Sequence, residues 1–215
     1  NNNPHLVYEK NGIIYYAEKI QGVWIKTPIS PPNSSKPSID ILSYNQGLIQ
    51  VAYENGSPPD IYYTERFLPE GVWREPVPVY VSYGRRSLFP YIKNGYLTWT
   101  EEKFYPPADP SFQIYCARYN VVNSSWDMIG DISQSNMNAR LSQHFNSNIF
   151  PSPYFYVIWN EEDNYGYTIK YKKYPFENLP RFYAACGESI PSIYCIQREG
   201  FIQFDTIPEK RVDYH

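Results

Sequence analysis

The sequence predicts an all-β fold built from a repeated unit of antiparallel strands. Aromatic residues make up 18% of its 215 residues, with 23 Tyr, and aromatic side chains favour strands. It has 20 Pro but only 2 Met, which suits short strands joined by proline-bearing turns. The phrase "IYYAEKIQGVW" at 14–24 returns as "IYYTERFLPEGVW" at 61–73. A chain that repeats itself in this way is expected to repeat a structural unit.

Composition and charge exclude several classes of function. The formal net charge is −3, so we expect no nucleic-acid partner. No apolar run approaches the roughly 20 residues that cross a bilayer, so we expect no membrane span. The three His and three Cys are scattered without metal-ligand spacing, and we expect no metal and no cofactor.

The third strand of the unit carries the clearest repeat. Its pattern is an apolar residue, any residue and then usually Tyr, at 14–16, 61–63, 114–116, 169–171 and 212–214. The copies are about 40 to 55 residues apart, the size of a four-stranded β-propeller blade with its loops. We therefore expect a propeller with about five recognisable blade units.

The second strand precedes it in every copy. An apolar residue, any residue, an aromatic residue and a polar residue follow one another at 6–9, 51–54, 97–100, 157–160 and 202–205. In "LIQVAYE" the side chains of Ile49, Val51 and Tyr53 share one face, because strand side chains alternate. The second-strand aromatic residues expected to pack between blades are Tyr53, Trp99 and Trp159.

First and fourth strands complete the unit. First strands are expected around 37–39, 90–92, 143–145 and 191–193. A Trp closes three units as Trp24, Trp73 and Trp126, and the fourth unit has the weaker Phe182 there. We interpret these Trp residues as packing residues of the scaffold.

We predict a single domain, 1–215, with blade units at approximately 1–36, 37–88, 89–141, 142–190 and 191–215. The first unit lacks its first strand, and the last ends within its third strand. Two arrangements fit: a closed five-bladed ring with incomplete end blades, or an arc of a larger propeller, which we favour. Open blade edges would then be covered by further blades or by self-association.

The repeats resemble those of sialidase-type propellers, the BNR or Asp-box class. That family has an apolar strand ending in Trp-x-Asp, an "I-Y-Y" strand and a Ser-x-Asp-x-Gly-x-x-Trp turn. This chain keeps the Gly-x-Trp part at 22–24 and 71–73 and lacks the Ser-x-Asp part. The resemblance implies that these turns are structural and lie opposite the ligand face.

In a propeller, the ligand face is formed by the loops after the second and fourth strands. Here the expected loops are 54–60, 100–113 and 160–168, and then 80–90 and 133–144. Carboxylates recur where the second strands end, as Glu54, Glu101, Glu102, Glu161, Glu162 and Asp163. They form either an acidic rim for a cation, sugar hydroxyls or acid/base catalysis, or local acceptors of backbone N–H groups. We favour local acceptors.

Basic and aromatic residues add further candidates in these loops. Arg85, Arg86 and Arg140 could bind a carboxylate or phosphate, or pair with local carboxylates. They do not match the arginine triad of sialidases one by one, and no catalytic residue is assigned. Phe104 and Tyr105 could stack on sugar rings or anchor a protein partner, or pack on neighbouring prolines.

The sequence leaves the function open between three classes. We favour a non-catalytic binding module of a secreted or surface protein, extracellular or periplasmic, that engages a glycan or protein partner through its loop face. The alternatives are a glycoside hydrolase or sialidase-like enzyme, and a structural part of a larger extracellular assembly. In an oxidising compartment Cys186 and Cys195 could pair across a turn; the alternative is three half-buried thiols.

Overall fold

The computed structural model describes residues 3–42, 47–69, 71–103, 111–133, 138–145, 154–163 and 166–175. Within these ranges the protein is all-β, and its strands form four antiparallel sheets. The chain divides into two compact units, 1–177 and 178–215. The second unit lies outside the described residues.

Each sheet is formed by strands that follow one another along the chain. The first contains β1 (His5–Lys10), β2 (Ile13–Ile20) and β3 (Val23–Pro28). The second contains β4 (Ser34–Leu42), β5 (Leu48–Gly56), β6 (Pro59–Phe67) and β7 (Val77–Tyr80). The third contains β8 (Ser87–Lys93), β9 (Tyr96–Lys103), β10 (Ser111–Asn120) and β11 (Ser125–Asp131). The fourth contains β12 (Asn138–Phe145), β13 (Tyr154–Asp163) and β14 (Gly166–Pro175).

Two-residue turns connect several neighbouring strands. Asn11-Gly12 joins β1 to β2, and Asn94-Gly95 joins β8 to β9. All four residues have positive φ angles, between 49° and 74°. Positive φ at both central positions defines the type I′ turn, whose twist matches that of a hairpin. Short local turns of this kind explain why consecutive strands are neighbours in each sheet.

The hydrophobic cores lie between successive sheets. Ile49, Val51 and Tyr53 of β5 pack in one cluster with Ile14 and Tyr16 of β2. On the opposite face of the same strand, Leu48 and Ala52 belong to a second cluster that includes residues of β9 and β10. The predicted alternation of β5 is confirmed, and this strand is buried on both faces. A third cluster joins the third and fourth sheets and contains Tyr96, Ile114, Cys116, Ile132, Val157 and Trp159.

The first strands begin earlier than the sequence pattern indicated. The expected starts at Pro37 and Pro90 lie inside β4 and β8, which begin at Ser34 and Ser87. Both prolines follow a residue with positive φ, Lys36 at 51° and Phe89 at 54°, within a register shift between paired strands. A bulge tolerates proline because the residue at that position does not have to donate an N–H to the ladder. The strand therefore continues through the proline.

Several segments expected to be loops are shorter than predicted. β13 extends to Asp163 and β14 starts at Gly166, so strands occupy most of 160–168. The turn within 54–60 contains only Ser57 and Pro58 outside β5 and β6. The propeller layout led us to expect longer loops here, but the pairing of β5 with β6 and of β13 with β14 continues to a two-residue turn.

The Trp residues of the repeat connect neighbouring sheets. Trp73 of the second sheet's chain segment packs edge-on against Tyr16, with ring centroids 5.0 Å apart. Trp126 of β11 packs in the same way against Tyr63, also at 5.0 Å. Trp73 precedes β7 rather than lying in a fourth strand. Trp24, in β3, is 39% exposed, because no preceding sheet packs on it among the described residues.

Candidate functional site

The carboxylate of Glu54, at the end of β5, is buried and links two sheets. Its Oε1 accepts the backbone N–H of Phe89 at 2.7 Å, and its Oε2 accepts the hydroxyl of Ser35 at 3.1 Å. Ser35 lies in β4 and Phe89 in β8 of the next sheet. Glu54 therefore stabilises the contact between the second and third sheets.

Glu101 of β9 is fully buried. Its Oε2 accepts the hydroxyl of Ser87 at 2.6 Å and the indole N–H of Trp99 at 3.2 Å. Arg85 Nε lies 4.0 Å from the other oxygen, Oε1. Burial raises the pKa of the Glu101 carboxyl, and the hydrogen bonds from Ser87 and Trp99 and the charge of Arg85 oppose that rise. The same Trp-x-Glu pairing recurs in β13, where Trp159 Nε1 donates to Glu161 at 2.9 Å.

The next residue, Glu102, is held by Arg86. The guanidinium donates through Nε at 2.9 Å and through Nη2 at 2.7 Å, and the backbone N–H of Arg86 donates at 3.2 Å. This two-pronged geometry is the strongest arrangement of an arginine on a carboxylate. The hydrogen bonds from Arg86 lower the pKa of Glu102.

Four of the six candidate acids have described side chains, and all four are buried acceptors of internal hydrogen bonds: Glu54, Glu101, Glu102 and Glu161. Glu54 and Glu102 do accept backbone N–H groups, but the donors are not at their own turns as we expected. Phe89 lies in the next sheet, and Arg86 precedes β8. Glu101 and Glu161 accept indole N–H groups instead, a partner that the sequence pattern did not indicate. None of the four stands as an exposed acceptor on the rim.

The connection between β7 and β8, residues 81–86, is fixed by hydrogen bonds. Asp60 Oδ1 accepts the backbone N–H of Ser82 at 2.9 Å and its hydroxyl at 2.8 Å. Arg85 Nε donates to the carbonyl oxygen of Ser82 at 3.2 Å. Together with the Arg86–Glu102 pair, these bonds anchor both ends of the connection to β6 and β9.

Tyr83 stands at the tip of this connection and is 92% exposed. It has a φ of 50° and is followed by Gly84 at 91°, a turn that projects the side chain away from the sheets. Val81 and Phe89, on either side, are also exposed. We call Val81, Tyr83 and Phe89 the loop-face patch. Sequence reasoning missed Tyr83, although an aromatic residue before a Gly and outside the strand alternation was a usable signal.

The remaining sequence-predicted candidates are placed by their backbone or lie outside the described residues. Arg140 lies in β12 and pairs with Asn160, whereas Glu162 of β13 pairs with Asn138. Asp163 ends β13. These positions are in strands rather than in the long loops we expected. Outside the described residues lie Phe104, Tyr105, Cys186 and Cys195.

A second polar cluster, which the sequence did not indicate, surrounds Glu65 of β6. Its Oε2 accepts hydrogen bonds from the hydroxyls of Tyr63 and Tyr119, each at 2.5 Å, and its Oε1 accepts one from Nη1 of Arg74 at 2.5 Å. Burial, reinforced by Glu65, raises the pKa of Tyr63 well above its usual value and that of Tyr119 to about 12. Both phenols therefore stay protonated and donate. Tyr119 is 54 residues away in the chain, so only the fold reveals this contact.

The sequence matches no protein-family model, and no curated protein is significantly similar to it. In the part of the chain that the structure describes, no helix is long and apolar enough to cross a membrane. The described residues also contain no group of three or more His, Cys, Asp or Glu side chains arranged to hold a metal ion.

Proposed function

We propose that this chain is a non-catalytic β-propeller binding module of a secreted or surface protein, extracellular or periplasmic, that engages a glycan or a protein through its loop face. Two observations support the propeller arrangement. Each sheet is a meander of consecutive strands, and hydrophobic clusters join the first sheet to the second, the second to the third and the third to the fourth. Sheets stacked in chain order are typical of propeller blades.

The single observation that carries the binding role is the exposed Tyr83 on a fixed connection. Tyr is among the side chains that dominate binding energy at interfaces. A connection already held by Asp60, Ser82 and Arg85 loses little conformational freedom on binding, and this preorganisation favours affinity. Val81 and Phe89, which precede and follow Tyr83 in the chain and are also exposed, would add apolar contact area.

The experiment compares partner binding by the native chain and two variants. The full chain is screened on a glycan microarray and used to capture proteins from the extracellular fluid of its source. Tyr83→Ala is expected to weaken the interaction at least about tenfold. Val122→Ala is the matched control, since Val122 is also 92% exposed but lies in the turn at the other end of β10. It should leave binding unchanged.

Two results would contradict the proposal. If Tyr83→Ala and the native chain bound the partner equally well, the loop-face patch would not be part of the interface. A glycan or protein that depends on Val122 instead would move the interface to the opposite end of the sheets.

A hydrolase is the second candidate, and one observation favours it. The raised pKa of Glu101 is the property expected of a general acid. However, Glu101 is fully buried and its neighbour Glu102 is bound by Arg86. Catalysis at Glu101 would require an opening around Ser87 and Trp99 that lets substrate reach the carboxyl group.

A structural role in an assembly is favoured by β3. Its side chains Val23, Trp24 and Ile25 are consecutive and all exposed, and an exposed apolar edge strand is a surface suited to pairing with another chain. If this role holds, Ile25→Lys should dissociate the assembly in light scattering. Particles whose molar mass equals that of one chain for both proteins would contradict it.

A further inference from the structure

A cavity of about 370 Å³ lies between the second and third sheets. One wall is formed by β6, β7 and the segment between them, and the other by the turn between β10 and β11. That turn follows Asn120, whereas the loop face lies beyond the other end of β10, at Ser111. The cavity is therefore separate from the loop-face patch.

The Glu65 cluster forms the rigid back of the cavity. Both oxygens of Glu65 are already used, one by Tyr63 and Tyr119 and the other by Arg74. The ring of Trp126 is packed edge-on against Tyr63 at 5.0 Å and Tyr119 at 5.3 Å. The wall is thus shaped before any ligand arrives, which lowers the entropic cost of binding.

Several polar groups remain open to a ligand. Arg74 is 50% exposed, and a guanidinium has five N–H donors, of which one donates to Glu65. Glu75 and Ser125 line the cavity and are exposed. The cavity therefore offers donors and acceptors side by side.

The other side of the cavity is apolar. Val77, Pro78 and Val79 line it from β7, and Trp126 lines it from β11. A ligand that fits must present C–H groups on one side and hydrogen-bonding groups on the other.

The charges of the lining narrow the class of ligand. Glu65 and Glu75 outnumber the positive charge of Arg74, so an anion is disfavoured. At Glu65 a cation would have to compete with Arg74, at the cost of a buried ion pair. At Glu75 it would gain little, because Glu75 is exposed and solvent weakens such a pair. A neutral ligand with hydroxyl groups can use Arg74, Glu75 and Ser125 without disturbing the cluster.

We propose that this cavity binds one neutral sugar residue. Its C–H face packs on Pro78 and Trp126, and its hydroxyls bond with Arg74, Glu75 and Ser125. The volume lies within the range of small-molecule sites, about 300 to 1,000 Å³. The site does not depend on the loop-face interaction, so either proposal can fail without the other.

The test is ligand-observed saturation-transfer NMR on the full chain. The probes are D-glucose, D-galactose, D-mannose and N-acetyl-D-glucosamine at millimolar concentration, with choline and inorganic phosphate as charged probes. At least one sugar is expected to receive saturation. Ser125→Tyr, which fills the mouth of the cavity, should weaken the binding of that sugar at least about tenfold. Asn123→Tyr, in the same turn but outside the lining, and Tyr83→Ala, on the loop face, should not.

Saturation of no sugar, saturation of choline or phosphate alone, or equal loss in Ser125→Tyr and Asn123→Tyr would overturn the inference. If circular dichroism shows that Ser125→Tyr has not folded, Glu75→Gln replaces it. This variant changes an exposed side chain and should weaken sugar binding several-fold. Unchanged affinity in Glu75→Gln would then overturn the inference.

Discussion

Glu101 and Glu102 are adjacent in β9, and because strand side chains alternate they meet different surroundings. Burial of Glu101 raises the pKa of its carboxyl, although the hydrogen bonds from Ser87 and Trp99 oppose that rise. Glu102 faces the guanidinium of Arg86, which favours the charged form. One pair of neighbouring residues thus has pKa values shifted in opposite directions.

These shifts predict opposite dependences of stability on pH. The folded-state pKa of Glu101 is raised above 4.5, so its contribution to the free energy of unfolding decreases as pH rises through the interval above 4.5. Glu102 has a lowered pKa, and its contribution is present above 4.5 and is lost as pH falls through the folded-state pKa. Denaturant unfolding of Glu101→Gln and Glu102→Gln from about pH 3 to about pH 7 measures both. For each variant, the free energy of unfolding is compared with that of the native chain. If this difference changed with pH in the same direction for both variants, the opposite pKa shifts of Glu101 and Glu102 would be contradicted.

The three hydrogen bonds to Glu65 predict a large effect of this carboxylate on stability. Glu65→Gln replaces the charged acceptor of Arg74, Tyr63 and Tyr119. We expect the free energy of unfolding to fall by about 2 kcal/mol, since hydrogen bonds to charged groups are worth about 1.5 to 3 kcal/mol. Glu75→Gln, at an exposed neighbour, should change it by less than about 0.5 kcal/mol. Equal effects in urea denaturation would show that the Glu65 cluster adds nothing to stability.

At the scale of elements, the third strands connect one sheet to the next by a repeated rule. In β2, the ring of Tyr16 packs against Trp73, and the carboxylate of Glu18 forms an ion pair with Arg66 of β6 at 3.1 Å. In β6, the ring of the equivalent Tyr63 packs against Trp126, and Glu65 accepts a hydrogen bond from the hydroxyl of Tyr119 of β10 at 2.5 Å. A Tyr-x-Glu motif in one sheet is thus bound by the next sheet along the chain.

This rule predicts a measurable coupling between β2 and β6. A double-mutant cycle on Glu18→Gln and Arg66→Gln should give an interaction energy of about 1 to 3 kcal/mol, because both side chains are largely buried. The control pair is Arg118 and Asp127, which lie 4.0 Å apart and are more exposed. Their coupling should stay below about 1 kcal/mol. Equal coupling in the two pairs would mean that the Glu18–Arg66 contact does not hold the sheets together.

The strands and their buried faces were predictable because side chains alternate between the two faces of a strand, and this alternation is visible in the sequence. Ile49, Val51 and Tyr53 are the clearest example. Strand starts were less predictable, since the bulges at Pro37 and Pro90 depend on the register of the partner strand. The acids at the ends of the second strands were located correctly along the chain. Their burial depends on donors such as Phe89 N, which belongs to another sheet.

The whole molecule combines a repeated scaffold with surfaces that break the repeat. Within the described residues the four sheets follow one another, and the Tyr-x-Glu contact occurs between the first and second sheets and between the second and third. Tyr83 lies outside the repeated pattern, whereas the cavity beside Trp126 is lined by the Tyr-x-Glu motif of β6 itself. The proposed binding role rests on particular exposed residues rather than on the repeated scaffold, because one scaffold can carry unrelated functions.

The most direct test of the binding account is the chemical fate of a bound partner. A glycan or protein that binds the native chain is incubated with the native chain and then eluted. Its mass is measured by mass spectrometry and compared with that of a sample incubated without the chain. The account predicts that the partner is recovered with unchanged mass and that Tyr83→Ala recovers much less of it. A cleaved product that forms with the native chain and is lost in Glu101→Gln would contradict the account and would make Glu101 a catalytic residue.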